Sequence, residues 1–392
     1  MKPPILNTYG NSVKIKQIAE SIAVRENKLH LKGLVGSSMS FVVASLFEKS
    51  DLPYLLILQD KEEAAYYLND LEQIIGEEDV LFYPGSYRRP YQIEDTDNAS
   101  VLLRAEVLNR INSRKRPAVI VTYPEALFEK VVTRKELDKN TLKIAIGDQI
   151  SIDFVNEVLF EYEFKRVDFI TEPGEFSVRG GILDVFSFSN ENPFRIEFFG
   201  NEIDSIRTFD VETQLSIEKQ KKITIIPNVE NKFFQENRES FLNYINEKTV
   251  LFIQNTDLLF SKLDQLFDRA KDIFATMDDT VKHVAPEELF LNQEAFIKKS
   301  LDFTVVEMAS KATYRTQKTF EFHVQPQPSF NKQFDLLLNN LNDNHFNGYK
   351  NYIFCSNEQQ AKRFHDIFSS LDEANSEDIR KQYHTVVFLY SK

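Results

Sequence analysis

Cysteine and long apolar runs are scarce in this sequence of 392 residues, and each shortage excludes a class of protein. With Cys355 as its single cysteine, the chain can form neither an intrachain disulfide nor a metal cluster built on several thiolates. No stretch approaches the roughly 20 apolar residues that a membrane-spanning helix needs. The N-terminus also lacks the apolar segment of a secretory signal. We therefore expect a cytoplasmic protein that does not contact a membrane.

Basic charge is in short supply as well, with 47 Lys and Arg against 60 Asp and Glu, a net charge of −13. This balance disfavours a surface that binds nucleic acid throughout, although a local basic patch stays possible. The six histidines are scattered without metal-ligand spacing, and no nucleophile elbow or catalytic triad can be picked out. We predict no catalytic residue, no metal site and no cofactor for this chain.

Short apolar runs alternate with amphipathic helical stretches in the first part of the chain, the pattern of a parallel sheet covered on both faces. Near residue 150 the pattern changes to short alternating strands and tight turns, and from about residue 222 the α/β rhythm returns. We predict an α/β fold with an inserted small antiparallel β-rich domain. The predicted units are an α/β domain at 1–150, a β-rich domain at 151–221 and a second α/β domain at 222–392.

The turn after the first predicted strand, GLVGSSMS at 33–40, lies where the phosphate loop of an ATPase would lie. That loop requires a second glycine and a lysine, and this chain has Ser38 and Met39 in their places. A plain strand-to-helix turn is the simpler interpretation. We predict no nucleotide binding by this degenerate loop, whose residues are Gly33, Gly36, Ser37, Ser38, Met39 and Ser40.

In the β-rich part, strand periodicity sends alternate side chains to opposite faces. Phe194, Ile196 and Phe198 are predicted to fill the core. The opposite face then carries a row with the composition of a protein-binding hot spot, namely Arg195, Glu197 and Phe199, joined by Arg179 from an earlier strand. Two structural alternatives remain open: a bulge at Gly200 that turns the Phe199 ring inward, and ordinary surface Arg–Glu pairs.

The segment GEFSVRGGILDVF…FRIEFFGNEIDSIRTFDVETQLS at 174–216 resembles domain 2 of the bacterial transcription-repair coupling factors, which the excision-repair protein UvrB shares more loosely. YPGSYRRPYQ at 83–92 is similar to the aromatic-proline loop of that family. QPQPSF at 325–330 and the segment at 348–368 are similar to its next domain. The resemblance covers most of the chain and implies an N-terminal, UvrB-like module, which we expect to be part of a longer protein. A helicase-like origin of the α/β units is implied with it.

The resemblance implies a docking function, because domain 2 of the family binds UvrA. The residues that match the UvrA contacts are Arg179, Arg195 and Phe199, and Glu197 lies between the last two. The full-length family proteins also bind RNA polymerase, translocate on double-stranded DNA with ATP, and cover domain 2 with their own C-terminal domain. Those functions belong to parts that this chain lacks, so no enzymatic activity is expected of it.

Two other functions stay open at the level of sequence. One is an active UvrB-like, ATP-dependent DNA helicase subunit, which Met39, the missing acidic magnesium motif and the net charge disfavour. The other is DNA contact by the α/β units, for which the basic string NRINSRKR at 109–116 is a candidate, although a solvated helix end is the commoner explanation.

Overall fold

The computed structural model describes residues 4–86, 90–91, 98–113, 116–188, 190–228, 238–277, 284–355, 357–374 and 386–389. Among these residues, no helix combines the length and the apolar character required to cross a bilayer. Part of the aromatic-proline loop, the centre of the basic string at 109–116 and the histidines at 283 and 384 lie outside the described residues.

The strands are short and follow the apolar runs of the sequence. They are β1 (Lys28–Lys32), β2 (Tyr54–Ile57), β3 (Val80–Phe82), β4 (Val119–Thr122), β5 (Val131–Val132), β6 (Leu142–Ala145), β7 (Lys165–Arg166), β8 (Glu175–Arg179), β9 (Ile182–Val185), β10 (Phe194–Phe199), β11 (Glu202–Phe209), β12 (Ser216–Lys219), β13 (Lys222–Ile225), β14 (Arg238–Glu239), β15 (Val250–Ile253), β16 (Thr304–Glu307), β17 (Lys318–Glu321), β18 (Asn351–Phe354) and β19 (Val386–Leu389).

The helices alternate with these strands in the outer parts of the chain and are sparse in the middle. They are α1 (Pro4–Asn11), α2 (Val13–Ile22), α3 (Ser38–Phe47), α4 (Lys61–Ile75), α5 (Asn98–Ser113), α6 (Pro124–Phe128), α7 (Arg134–Lys139), α8 (Ile152–Glu161), α9 (Phe241–Tyr244), α10 (Thr256–Ala275), α11 (Pro286–Leu289), α12 (Gln293–Ser300), α13 (Phe334–Phe346) and α14 (Glu358–Ala374), with one 3₁₀ turn at Glu77–Asp79.

The largest sheet has seven strands in the order β17-β1-β16-β15-β2-β4-β3, and every neighbouring pair is parallel. Its central strands are buried along their whole length, as expected for a parallel sheet that helices cover on both faces. The predicted α/β class with an inserted antiparallel β-rich part is confirmed.

Strands from both ends of the described chain contribute to this one sheet. β1 lies between β16 and β17, which come about 280 residues later in the sequence, and β15 lies beside β2. The two predicted α/β units therefore share a sheet between them. The boundaries at 150/151 and 221/222 stay a prediction, and β13 pairs with β6 across the base of the middle part.

The middle of the chain forms a second sheet with six strands in the order β12-β11-β10-β9-β8-β7. It is antiparallel except for the short β7–β8 pair. Its inner face carries Phe176, Leu183 and Ile196, which are fully buried in the same apolar cluster as Val155 and Leu159 of α8. One face of the sheet thus forms a core with a helix, and the opposite face is available for polar side chains.

The last described part is a small α/β unit with an apolar cluster of its own. β18 and β19 form a parallel pair, and their cluster contains Leu338, Leu341, Phe368 and Val386. The exposed segment at 325–330, which has no regular structure, precedes this unit.

Candidate protein-docking site

The outer face of the six-stranded sheet is a row of charged residues aligned across neighbouring strands. The register places Asp184 of β9 opposite Ser177 of β8 and Arg195 of β10, and Arg195 opposite Arg207 of β11. Because strand side chains alternate with a period of two, these residues share the face opposite the core. The predicted core residues Phe194 and Ile196 are buried on the other face, and Phe198 packs against the same cluster.

Asp184 connects two of the predicted docking residues. Its Oδ1 accepts a hydrogen bond from Nε of Arg195 at 2.7 Å, and its Oδ2 accepts one from Nη2 of the same arginine at 2.9 Å. Oδ2 also accepts a hydrogen bond from Nη2 of Arg179 at 2.5 Å. The carboxylate is almost completely buried, so the two arginines supply the charge and hydrogen bonds that burial removes from water.

The Arg195 side chain contacts three other side chains. Besides its fork onto Asp184, it donates to Oε1 of Gln214 at 3.2 Å, and its guanidinium lies 4.3 Å from the centre of the Phe209 ring. Its side chain is only 15% exposed. The hydrogen bond to Asp184 raises the pKa of Arg195 above its ordinary value, so the group stays charged. The sequence predicted that Arg195 lies on the outer face. The structure confirms this position and shows that Gln214 and Phe209 cover most of the side chain.

Glu197 forms a second ion pair on the same face. Its carboxylate accepts hydrogen bonds from Nη2 of Arg207 at 2.5 Å and from Oγ of Ser205 at 2.6 Å. The hydrogen bond from Arg207 is the main reason that the pKa of Glu197 lies below its ordinary value. Glu197 is therefore ionised and already paired within the chain.

Phe199 is the most exposed of the four candidates, with 82% of its surface open to solvent. The structure does not show the bulge at Gly200 that the sequence left open. The register shift lies in β11 instead, where Asp204 is the extra residue between the pairs Glu197–Ser205 and Phe198–Ile203. β10 itself alternates without interruption, so the Phe199 ring points away from the core. Gly200, with φ of 64°, begins the two-residue turn that follows.

Two residues of this face were missed at the level of sequence, Asp184 and Phe169. Asp184 stands between Leu183 and Val185 in a strand, so alternation places it on the outer face with Arg179 and Arg195, for which a carboxylate is the natural partner. Phe169 carries no such signal, because it lies in the loop before β8 and only the folded chain brings its ring to 5.1 Å from the Arg179 guanidinium.

The degenerate phosphate loop forms the turn between β1 and α3. Gly33 and Gly36 have φ of 85° and 56°, and a side chain on Gly33 would collide with the main-chain oxygen of Phe322. The glycine is thus explained by close packing of β1 against the segment after β17. Oγ of Ser38 donates to the carbonyl of Val35 at 2.7 Å and accepts from its N–H, which closes the turn on itself.

The other loop residues make local contacts or are buried. Ser37 precedes α3 without capping it and lies 3.1 Å from the Tyr66 hydroxyl, and Met39 is almost fully buried. Oγ of Ser40 donates to Oδ2 of Asp70 at 3.0 Å. The hydroxyl that would face a magnesium ion in a working loop thus faces a carboxylate of the same chain.

An open cavity of about 570 Å³ lies beside this turn, at the carboxyl ends of β1, β2, β15 and β16. Ligands of open α/β sheets commonly bind at this edge. Among the described residues that line the cavity, Lys311 is the one cation, and Met39, Gln59 and Gln254 are uncharged. The lining offers little positive charge for the phosphates of a nucleotide.

The six-stranded sheet is similar to a described domain family. The family model for the UvrB interaction domain matches residues 142–231, which contain β6 to β13 and all four predicted docking residues. A transcription-repair-coupling factor of Bacillus subtilis is 33% identical over 198 residues, which cover 50% of this chain and 17% of that protein.

UvrABC system protein B of Clostridium botulinum is 32% identical over 237 residues, which cover 56% of this chain and 35% of that protein. The chain thus spans well under half the length of these relatives. A DEAD box protein of Methanococcus jannaschii has a TM-score of 0.30 at 8% identity, values too low to support an argument. The resemblance to the coupling factors and to UvrB that the sequence motifs indicated is confirmed.

Proposed function

We propose that this chain is the docking module of a transcription-repair coupling factor and that the outer face of its six-stranded sheet binds UvrA. The match of residues 142–231 to the UvrB interaction domain and the similarity to coupling factors and UvrB support a role in UvrA-linked repair. In this proposal the chain works by recruitment and performs no chemistry of its own.

The observation that carries the proposal is the exposure of Phe199 at the end of a row of fixed charges. A benzyl ring that is 82% exposed contributes nothing to the core, and burial by a partner would recover its hydrophobic free energy. On the same face, Arg179 keeps 43% of its side chain exposed, and Asp184 accepts a hydrogen bond from one of its nitrogens. Aromatic rings and arginines with restricted rotamers are the residues most enriched among interface hot spots.

The charge around this face favours a protein partner over nucleic acid. Residues 171–210 contain eight acidic residues and three arginines, Arg179, Arg195 and Arg207. Each of these arginines contacts a carboxylate of its own chain, namely Asp184 or Glu197. A phosphate backbone needs several clustered cations, and after these pairings the three arginines and two carboxylates leave a surplus of one positive charge.

Functions of the whole coupling factor extend the proposal beyond this chain. Recruitment of UvrA to stalled RNA polymerase, ATP-driven movement on double-stranded DNA and covering of the docking face by a C-terminal domain would all involve parts outside it. The chain's share of that sequence of events is the capture of UvrA.

The test is capture of purified UvrA by the immobilised chain, with Arg179→Ala, Phe199→Ala and Arg195→Ala compared with wild type. Each substitution at a hot spot costs about 2 kcal/mol or more, so we expect the dissociation constant to rise about 30-fold or more. Phe154→Ala is the matched control, because Phe154 is an exposed phenylalanine of α8, the helix that covers the inner face.

Equal capture by the wild type and all three variants would refute the proposal, as would failure of the wild type to bind UvrA. Circular dichroism melting of each variant separates loss of the docking face from loss of the fold. Arg195→Ala is expected to lower the melting temperature, because it removes an ion pair to a buried carboxylate.

The alternative of an active UvrB-like helicase subunit retains support from the UvrB relatives alone. The turn between β1 and α3 argues against this alternative. Met39 replaces the lysine of a working phosphate loop, and the Ser40 hydroxyl donates its hydrogen bond to Asp70. Titration of the chain with ATP and magnesium, and a gel shift on single-stranded DNA, test this alternative directly.

A further inference from the structure

We propose that Phe169 is an additional docking anchor, and that Phe169, Arg179 and Phe199 together bind an apolar surface of the partner that presents a carboxylate. This inference rests on the proposed function, because it concerns the same face and the same partner. It adds a residue outside the matching motif residues and assigns a chemical character to the surface that is recognised.

The loop between β7 and β8 presents Phe169 in a fixed position. The side chain is 64% exposed, yet the residues on either side of it are tied to the sheet. The carbonyl of Asp168 accepts a hydrogen bond from Oγ of Ser177 at 2.9 Å, and Ile170 is buried in a cluster with Phe186 and Phe209.

A buried carboxylate closes the other half of the same loop. Oε2 of Glu175 accepts hydrogen bonds from the main-chain N–H of Thr171 at 2.7 Å, from the Thr171 hydroxyl at 3.0 Å and from the N–H of Glu172 at 3.2 Å. An exposed phenylalanine on such a constrained loop loses little conformational entropy when a partner covers it.

The Phe169 ring also contacts the most exposed of the three arginines on this face, Arg179. The Arg179 guanidinium lies 5.1 Å from the ring centre, within the range of a cation–π contact. Among the described residues, Asp184 alone accepts a hydrogen bond from Arg179, through Nη2. The ring on one side and the carboxylate on the other leave the remaining edge of the guanidinium directed toward a partner.

The charge of this end of the sheet indicates what the partner must supply. Arg179 and Arg195 share the single carboxylate of Asp184, which leaves one net positive charge on the group. Arg195 is mostly covered, so Arg179 carries that charge at the surface. A planar guanidinium with free N–H groups pairs best with a carboxylate, and the two flanking rings favour apolar neighbours around it.

Phe199 lies at the same end of the sheet as the other two residues. Arg179 pairs with Ile182, and Ile182 pairs with Glu197, two residues before Phe199. Two strand spacings therefore separate Arg179 from the β10 strand, a distance of roughly 10 Å. A single element of a partner protein can cover this width.

The first experiment measures the dissociation constant for purified UvrA with Phe169→Ala, Phe169→Leu and the control Phe154→Ala. We expect Phe169→Ala to raise it about 30-fold, Phe169→Leu to raise it less because the apolar contact is kept, and Phe154→Ala to leave it unchanged. Melting temperatures should stay at the wild-type value, because both phenylalanines are exposed.

The outcomes separate the two proposals. Binding by Phe169→Ala that equals the wild type, while Arg179→Ala and Phe199→Ala lose UvrA, would overturn the role of Phe169 and leave the docking function standing. Absence of UvrA binding by the wild-type chain would overturn both.

The second experiment tests the carboxylate. The dissociation constant is measured between about 0.05 and about 0.3 M salt for the wild type and for Arg179→Met, which keeps the aliphatic stem. We expect wild-type affinity to fall with salt and the Arg179→Met affinity to be lower and nearly independent of salt. Equal salt dependence of the two proteins would show that Arg179 does not meet an anion.

Discussion

At the scale of residues, Arg179 and Arg195 contact the same carboxylate and yet have different surroundings. Arg195 is 15% exposed and is enclosed by Asp184, Gln214 and Phe209, whereas Arg179 is 43% exposed. Arg195 thus holds Asp184 in place, and Asp184 holds Arg179. We expect substitutions of Arg195 to act on docking largely through this chain of contacts and on stability as well.

Glu197 provides a prediction about pH. Its pKa is lowered in the folded chain, chiefly by the hydrogen bond from Arg207, so its ionisation stabilises the fold above the unfolded pKa of about 4.3. That contribution is lost as the pH falls through the lower, folded pKa. We expect the free energy of unfolding of the wild type to exceed that of Glu197→Gln by a constant amount near neutral pH and by a smaller amount in acid.

Urea titrations of the wild type and Glu197→Gln at several pH values measure this difference, and Arg207→Gln is the partner control. With Arg207 replaced, the Glu197→Gln substitution should lose most of its pH dependence. A difference that grows as the pH falls would contradict the pairing.

The sequence predicts the position of a site residue where that position depends on local structure, and it fails where the position depends on contacts between distant segments. Strand alternation is a local property, and it correctly placed Phe194 and Ile196 inside and Phe199 outside. The cover over Arg195 comes from Phe209 and Gln214, and contacts across strands depend on register, which a single sequence does not specify. The same reason hid Phe169, whose loop meets Arg179 only after folding.

At the scale of elements, the β10–β11 hairpin positions Phe199 through its turn. Gly200 has φ of 64°, and an added Cβ there would meet no atom within 4 Å. A substitution at this position therefore changes the conformational energy of the turn and no packing contact. The apolar runs predicted the strands well, while their pairing and the bulge at Asp204 emerged only from the folded sheet.

We expect Gly200→Ala to lower the free energy of unfolding by about 1 kcal/mol, because an alanine resists the left-handed backbone that the turn requires. Asn201→Ala is the control, since Asn201 occupies the same turn without a positive φ. The midpoint of urea unfolding with an unchanged slope measures the effect. Equal midpoints for the two variants would argue against strain at Gly200.

At the scale of the whole molecule, the α/β part is built on a seven-stranded parallel sheet, and the turn after β1 is held by contacts within the chain. Met39 is almost completely buried in α3, a helix whose residues are all buried. A lysine at this position would have to leave water, which disfavours its charged form. Introducing the lysine of the phosphate-loop motif at position 39 should therefore destabilise α3 and should not enable the loop to bind a nucleotide.

We expect Met39→Lys to lower the free energy of unfolding by about 2 kcal/mol and to gain no affinity for ATP with magnesium in calorimetric titration. Met39→Leu, which keeps the apolar volume, should cost less than about 1.5 kcal/mol. Measurable ATP binding by the wild type or by Met39→Lys would contradict our view of this turn.

The position of β1 within the seven-stranded sheet has a consequence for biosynthesis. Leu29 pairs with Val306 on one side and with Lys318 on the other, so this strand has no partner strand until the ribosome has made about 280 further residues. During that interval both edges of the strand remain unpaired, and such long-range closure slows folding and invites aggregation. The nascent chain should therefore depend on chaperones until β17 has emerged, whereas the six-stranded sheet, made of neighbours in sequence, can form much earlier.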